Sequence, residues 1–272
     1  MNVSAVVLLK KLEGRGLFNM ITAILNIYRR PELLESQITA LQNQTVPPRH
    51  IWIWQNKAPE KIKIKRPPGT VLVKSNFNFL YHGRFALALL AQAYTEYVAI
   101  FDDDIIPGTQ WLENCLICME KQPGLYIGTG NRLLPAESEG QKRKWFGWRD
   151  PHDEIKEVDY GGHCWFLKSE WLRYFWGEEQ VCWDNAEDIQ LSFALQKNGG
   201  IHTYAPPHPP DDMKMWSNIA GWKYGKTKVA SHKSPPNDLT RREWFQQRRK
   251  VEQECIRRGW RPMYLRGRVC CD

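Results

Sequence analysis

Short apolar runs bounded by turn residues mark the first half of the chain as a series of buried strands. They are rich in β-branched and aromatic residues, as strands covered on both faces are. The predicted strands are 20–27, 51–54, 70–74 and 97–101. Apolar residues at helical spacing predict the intervening helices 31–41, 85–94 and 111–121. This alternation predicts an α/β fold with a mostly parallel, Rossmann-like sheet flanked by helices.

The second half of the chain has a less regular pattern. Residues 135–157 are polar and charged, which predicts a long loop. Beyond it we predict a strand, a short helix, a longer helix and a final strand, at 158–167, 170–175, 185–197 and 201–204.

Composition supports a globular chain. It has 272 residues, of which 42% are hydrophobic and 13 are Trp, enough for a packed core. No apolar stretch approaches 18 residues, so no transmembrane helix is expected. The charges beside the short apolar run at 3–9 lie on the wrong side for a signal peptide. We therefore expect a cytoplasmic protein.

The formal net charge of +8 is concentrated near the C-terminus. Residues 241–268 combine helical apolar spacing with many arginines, which predicts a basic helical extension over 236–272. It could contact an anionic membrane surface at the inner face, or an acidic acceptor. Alternatively, it is a surface helix docked on the core by Trp244, Val251 and Cys255. Nucleic acid is not an expected partner, because no recognised binding motif is present.

Three consecutive aspartates, Asp102, Asp103 and Asp104, directly follow the predicted strand at 97–101. Adjacent carboxylates repel one another and call for a counter-charge. Mn²⁺ or Mg²⁺ prefers carboxylate oxygens and usually completes its shell with substrate phosphates. The run therefore predicts a metal site for a phosphate-bearing substrate such as a nucleotide-sugar. The alternative is a solvated acidic loop or an Asx turn.

Further polar residues follow the other predicted strands. They are Asn26, Gln55, Asn56 and Asn76. Ligands of open α/β sheets bind at the carboxyl ends of the strands. We therefore expect these side chains and the aspartates to line one ligand site.

Two more carboxylates, Glu187 and Asp188, lie at the start of the predicted helix at 185–197. The helix dipole favours their ionised forms there. One of them could act as a general base on an acceptor hydroxyl. Otherwise both simply cap the helix.

In this order the motifs resemble those of GT-A glycosyltransferases. The matching blocks are ITAILNIYRRPELL, IWIWQN, NFNFLYHGRF…YVAIFDDDI and GGHCWFL…WDNAEDIQLSFALQKNGG. The third block and the AEDI helix look most like exostosin-like catalytic domains, and family-2-type transferases share the ED helix. The resemblance covers roughly 20–210. It implies a GT-A catalytic domain over 1–235, with a nucleotide-binding half at 20–108 and an acceptor half at 109–235.

The resemblance also implies roles for the acidic residues. Asp104 would bind the divalent metal, with Asp102 beside the metal or the ribose and Asp103 at the same donor site. His208 would be a further metal ligand. Asp188 is favoured as the general base.

The remaining roles concern the donor and the acceptor. Glu187 would orient the acceptor. The donor contacts implied by the resemblance are Asn26, Tyr28, Gln55 and Asn56 near the base, and Asn76 and Arg84 near the phosphates.

The implied function is metal-dependent transfer of a hexosyl or N-acetylhexosaminyl group. The donor would be a nucleotide-sugar, first of all a UDP-sugar, and the acceptor a saccharide or lipid-linked glycan in surface-glycan synthesis. Exostosin-like enzymes retain and family-2-type enzymes invert the anomeric configuration, and inversion is favoured here. A sugar-nucleotide nucleotidyltransferase is an alternative, although NIYRRPELL lacks the glycines of a phosphate-binding loop. A non-catalytic carbohydrate-binding protein on the same scaffold is another.

Overall fold

The computed structural model describes residues 20–58, 62–135, 143–225 and 239–266. Within these ranges the strands form one nine-stranded sheet with helices packed against it. The spatial order of the strands on the main path is β3-β2-β1-β4-β8-β5-β9-β7, and β6 pairs with β5.

The N-terminal half of the sheet is parallel, as the alternating pattern predicts. Its strands are β1 (Ile21–Ile27), β2 (His50–Gln55), β3 (Thr70–Lys74) and β4 (Tyr97–Phe101). The connecting helices are α1 (Leu34–Gln42) and α2 (Gly83–Leu90). A 3₁₀ turn at Pro31–Leu33 leads into α1, and a second at Ala91–Ala93 ends α2 earlier than predicted. The parallel arrangement brings the carboxyl ends of β1, β2 and β4 to one edge.

The C-terminal half extends the sheet mainly with antiparallel strands. Its elements are α3 (Trp111–Lys121), β5 (Leu125–Leu133), β6 (Arg143–Gly147), β7 (Lys156–Val158), β8 (Tyr160–Lys168), α4 (Leu172–Gly177), α5 (Glu187–Gly199) and β9 (Thr203–Ala205). Strand β8 lies antiparallel between β4 and β5, and β5 also pairs in parallel with β9. The predicted mixed α/β fold class is confirmed.

The loop predicted over 135–157 is wrong in part, because this segment contains β6 and β7. Strand β6 is only partly buried and pairs on one side with β5. Such an edge strand needs few apolar residues, so its sequence resembles a loop. Residues 136–142 of the predicted loop lie outside the described residues.

The basic C-terminal segment forms α6 (Arg241–Arg257), which packs on the core. Val251 and Cys255 are buried, as the docking interpretation predicts, and Trp244 is half-buried. Val251, Cys255 and Trp260 belong to a second apolar cluster, together with Tyr160 of β8 and residues of β5 and α5. In the described part of the chain, no helix has the length and apolar character needed to cross a membrane.

The close pairing of β5 with β8 makes Gly161 a sensitive position. A Cβ atom there would collide with the carbonyl oxygen of Thr129 and with the side chain of Ile127. We expect Gly161→Ala to lower the free energy of unfolding by about 3 kcal/mol, measured by urea denaturation. Gly177 has open space around it, so Gly177→Ala is the matched control and should not destabilise. Equal stabilities of the two variants would contradict the proposed crowding.

Candidate active site

The carboxyl ends of β1, β2 and β4 open into a cavity of about 630 Å³. Most of the predicted site residues line it. They are Asn26, Tyr28, Asn56, Arg84, Asp102, Asp103, Asp104, Glu187 and Asp188. In the described chain, Gln55, Asn76 and His208 are not part of this lining.

Asp102 and Asp104 meet a histidine that the sequence did not identify as a ligand. One side-chain ligand atom each from Asp102, Asp104 and His163 lies within 4.8 Å of the others. The sheet creates this meeting, because β8 runs antiparallel to β4 and the Asp102 amide donates to the His163 carbonyl at 2.9 Å. His163 has a φ of 73°, which is uncommon for a residue with a Cβ and is often found at functional sites.

The chemistry of this cluster fits a divalent cation. The Oδ1 atom of Asp104 is buried and has no hydrogen-bond partner in the described chain. Burial lowers the pKa of His163, which favours the neutral imidazole that binds metals. Two carboxylates and an imidazole are a donor set that suits Mn²⁺, and the carboxylates also suit Mg²⁺. Asp102, Asp104 and His163 are therefore the residues that could hold the metal.

The prediction of His208 as a metal ligand is wrong. Its side chain is fully buried, and both ring nitrogens already have partners. Nδ1 lies 2.7 Å from the Pro206 carbonyl oxygen and Nε2 lies 2.8 Å from Ser217 Oγ. Burial lowers the pKa of His208 to about 3, so it is a neutral core histidine.

Two predicted donor contacts do not line the cavity. The Gln55 side chain donates to the Ile62 carbonyl at 2.9 Å. Neighbouring residues along a strand project to opposite faces, so Asn56 lines the cavity and Gln55 does not. Asn76 is exposed. Its place is taken by Asn78, which lines the cavity and donates to the Tyr28 hydroxyl at 3.3 Å.

Arg30, directly after the β1 turn, compensates two of the aspartates. It forms ion pairs with Asp103 and with Asp104, the latter at 2.9 Å. Burial alone would lower the pKa of Arg30, but the charges of Asp103 and Asp104 outweigh it and raise that pKa. Burial raises the pKa of Asp103 to about 7 even though Arg30 opposes the shift. The aspartate run is therefore short of positive charge.

Arg84, in the first turn of α2, joins the metal cluster to the ED helix. Its Nη1 lies 3.1 Å from Asp102 Oδ1 and its Nη2 lies 2.8 Å from Glu187 Oε1. Burial, and then the charge of Asp188, raise the pKa of Glu187 to about 7 against the attraction of Arg84. The guanidinium has five N–H donors, and its Nε has no hydrogen-bond partner among the described residues, so the contact of Arg84 with donor phosphates stays a prediction.

The ED helix begins from a strained residue. Ala186 has a φ of 64°, in the left-handed region that non-glycine residues seldom occupy. The Asn185 side chain stabilises this turn by accepting from the Ala186 amide at 2.6 Å. Glu187 and Asp188 follow immediately, and both line the cavity.

The partner of Asp188 comes from α6, 60 residues further along the chain. Arg248 Nη2 lies 2.7 Å from Asp188 Oδ2, and its Nη1 lies 3.3 Å from Asn185 Oδ1. Burial acts to lower the pKa of Arg248, but Asp188 raises it overall. One sequence signal was available, since Arg248 precedes the docking residue Val251 by three positions and so shares its helix face.

No protein-family model matches the chain, and no curated protein sequence matches it. Among solved structures, GalNAc-T7 crystallised with UDP, GalNAc and Mn²⁺ is 9% identical, with a TM-score of 0.51 over 70% of this chain and 42% of GalNAc-T7. S. aureus TarS is 12% identical, with a TM-score of 0.49 over 88% of this chain and 43% of TarS. The chain thus spans less than half the length of either protein. The likeness to GalNAc-T7 and the sheet order confirm the predicted GT-A fold.

The metal cluster can be tested without any substrate. We expect Asp104→Asn to weaken Mn²⁺ binding at least about tenfold, measured by calorimetry, because it removes a charged ligand but keeps the side-chain shape. Asp150→Asn, which changes an exposed aspartate outside the cavity, should leave Mn²⁺ affinity unchanged. If Asp104→Asn binds Mn²⁺ as tightly as the unchanged protein does, the metal lies elsewhere.

Proposed function

We propose that this chain is a metal-dependent glycosyltransferase that moves a sugar from a nucleotide-sugar to a hydroxyl of a saccharide or lipid-linked glycan. The observation that carries the proposal is one cavity with a metal-binding cluster on one wall and a carboxylate pair on another. Asp102 of the cluster and Glu187 of the pair are both held by Arg84. The structural neighbour GalNAc-T7, which was crystallised with UDP and Mn²⁺, supports a UDP-sugar as the donor.

The donor would bind at the ends of β1, β2 and β4. Mn²⁺ or Mg²⁺ held by Asp102, Asp104 and His163 would neutralise charge on the departing diphosphate. Asn26 would offer its side-chain amide to the base. Asn56 lines the same wall, and its side chain donates to Asn78 at 2.7 Å and so positions that neighbouring amide. The ring of Tyr28 and the amide of Asn78, hydrogen-bonded to each other, are further contacts for the nucleoside.

The acceptor hydroxyl would lie beside Asp188. As its oxygen forms a bond to the anomeric carbon, the bond from that carbon to the diphosphate breaks, and the hydroxyl proton moves to Asp188. Arg248 and the amide of Ile189, which donates at 2.9 Å, hold the Asp188 carboxylate in place. Glu187, held by Arg84, would orient the acceptor. A base on the side opposite the leaving group gives inversion of the transferred hexosyl or N-acetylhexosaminyl unit.

Donor binding should appear as metal-dependent thermal stabilisation. A ligand at one hundred times its Kd adds about 2.7 kcal/mol to the free energy of unfolding, a shift of several degrees in Tm. We expect UDP and UDP-sugars to raise Tm with Mn²⁺ but not with EDTA, and Asp104→Asn to abolish the rise. A folded protein whose Tm responds to no nucleotide would contradict the donor site.

The base can be tested by separating transfer from binding. We expect Asp188→Asn to reduce kcat for sugar transfer by about 10²- to 10⁴-fold, because the amide cannot accept the proton. The Tm shift with UDP-sugar and Mn²⁺ should remain. Asp153→Asn, at an exposed position outside the cavity, is the control. Transfer at the unchanged rate in Asp188→Asn would exclude Asp188 as the base.

A further inference from the structure

A second cavity, of about 600 Å³, opens beside the first, and we call it the arginine groove. Five arginines line it, from β6 and from α6. They are Arg143, Arg241, Arg242, Arg248 and Arg249. Glu252 is the one acidic residue among the lining residues of the described chain.

Within the described residues, most of this positive charge has no ion-pair partner. Arg248 pairs with Asp188, but Arg241, Arg242 and Arg249 take part in no ion pair. Among the same residues, the Arg143 side chain donates to the Tyr160 hydroxyl. The charges of Arg143, Arg248 and Arg249 act on one carboxylate of the lining, that of Glu252. A concave site with an excess of guanidinium groups concentrates anions, and guanidinium binds phosphate and carboxylate through paired hydrogen bonds.

The position of two of these arginines is unfavourable for the helix itself. Arg241 and Arg242 form the first turn of α6, where the helix dipole disfavours positive charge. A capping box between Thr240 and Glu243 stabilises the end of the helix despite them. A local conflict of this kind is expected where function, rather than folding, selects the residue.

The arginine groove adjoins the proposed active site. Arg143, Tyr160, Phe245 and Arg248 line both cavities, and Arg248 also touches Asp188. A molecule whose anionic group lies in the groove can therefore extend to the proposed base. The lining residues that the groove shares with the proposed active site favour a discrete anionic group near the base over a membrane surface.

The geometry points to an acidic glycan as the acceptor. Its phosphate or carboxylate group binds in the arginine groove while one of its hydroxyls reaches Asp188. This inference rests on the proposed function, and it adds the chemical class of the acceptor.

Calorimetry on the full chain tests it, with UDP and Mn²⁺ present at saturation so that the donor site is filled. The probes are glucose 6-phosphate, glucuronate and glucose. We expect at least one acidic sugar to bind about tenfold or more tighter than glucose, because charge-assisted hydrogen bonds form in the groove. The double variant Arg241→Ala/Arg249→Ala should lose this preference.

The control variant removes the same charge from the same helix outside the groove. Lys250 and Arg257 are exposed on α6 and do not line it, so Lys250→Ala/Arg257→Ala should keep the preference for acidic sugars. Which acidic sugar binds more tightly distinguishes a phosphate from a carboxylate. Equal affinities for all three sugars, or a preference that survives in Arg241→Ala/Arg249→Ala, would overturn the inference.

Two further measurements separate this inference from a membrane contact and from a failure of the proposed function. Vesicles containing phosphatidylglycerol are sedimented with each protein. Suppose that the vesicles bind the unchanged protein and the control variant but not Arg241→Ala/Arg249→Ala, and that the unchanged protein shows no preference for acidic sugars. This result overturns the inference in favour of a membrane contact. The preceding titration with UDP and Mn²⁺ reports on the proposed function by itself. If UDP does not bind, both the proposed function and the inferred acidic acceptor are overturned. If UDP binds but the three sugars bind with equal affinity, only the inferred binding of an acidic acceptor in the arginine groove is overturned.

Discussion

The site depends on the compensation of buried negative charge. Five carboxylates line one cavity, and within the described residues three arginines form ion pairs with them. Arg30 pairs with Asp103 and Asp104, Arg84 with Asp102 and Glu187, and Arg248 with Asp188. A buried charge without its partner costs several kcal/mol, so these arginines stabilise the fold as well as the site. Arg30 and Arg84 are each shared between two carboxylates, and a divalent cation at Asp102, Asp104 and His163 would add positive charge at this wall of the cavity. Burial accordingly raises the pKa values of Asp103 and Glu187 to about 7.

The compensating arginines come from three distant parts of the chain. Arg30 follows β1, Arg84 begins α2, and Arg248 lies on α6. Arg30 therefore meets its carboxylates only when β1 and β4 have paired, and Arg84 only when α2 and the ED helix lie beside β4. Arg248 additionally requires the docking of α6. Helix α6 stabilises the core through Val251 and Cys255 and also supplies the partner of Asp188. The basic C-terminal segment thus takes part in the candidate site, whatever its further partners are.

Features fixed by local sequence could be predicted, and features fixed by pairing between distant segments could not. The strand at 97–101 and the aspartates after it follow from an apolar run and a turn. The approach of His163 to Asp102 depends on the antiparallel pairing of β8 with β4, which no local pattern contains. His208 was wrongly predicted for the same reason, since its position along the chain does not indicate which atoms its ring faces. Arg248 needed the docking of α6 to be known.

The two neighbouring cavities differ in charge, because the carboxylates after β4 and at the ED helix line the first and five arginines line the second. A nucleoside diphosphate is itself anionic, so the carboxylates repel it unless a cation enters with it. The arginine groove attracts anions without any cofactor. Arg248 belongs to both cavities, because it holds Asp188 and lines the groove. An anion that approaches Arg248 shares its guanidinium with Asp188, because the planar group can donate to two acceptors at once. Arg248 therefore joins the proposed acceptor groove to the carboxylate at the start of the ED helix.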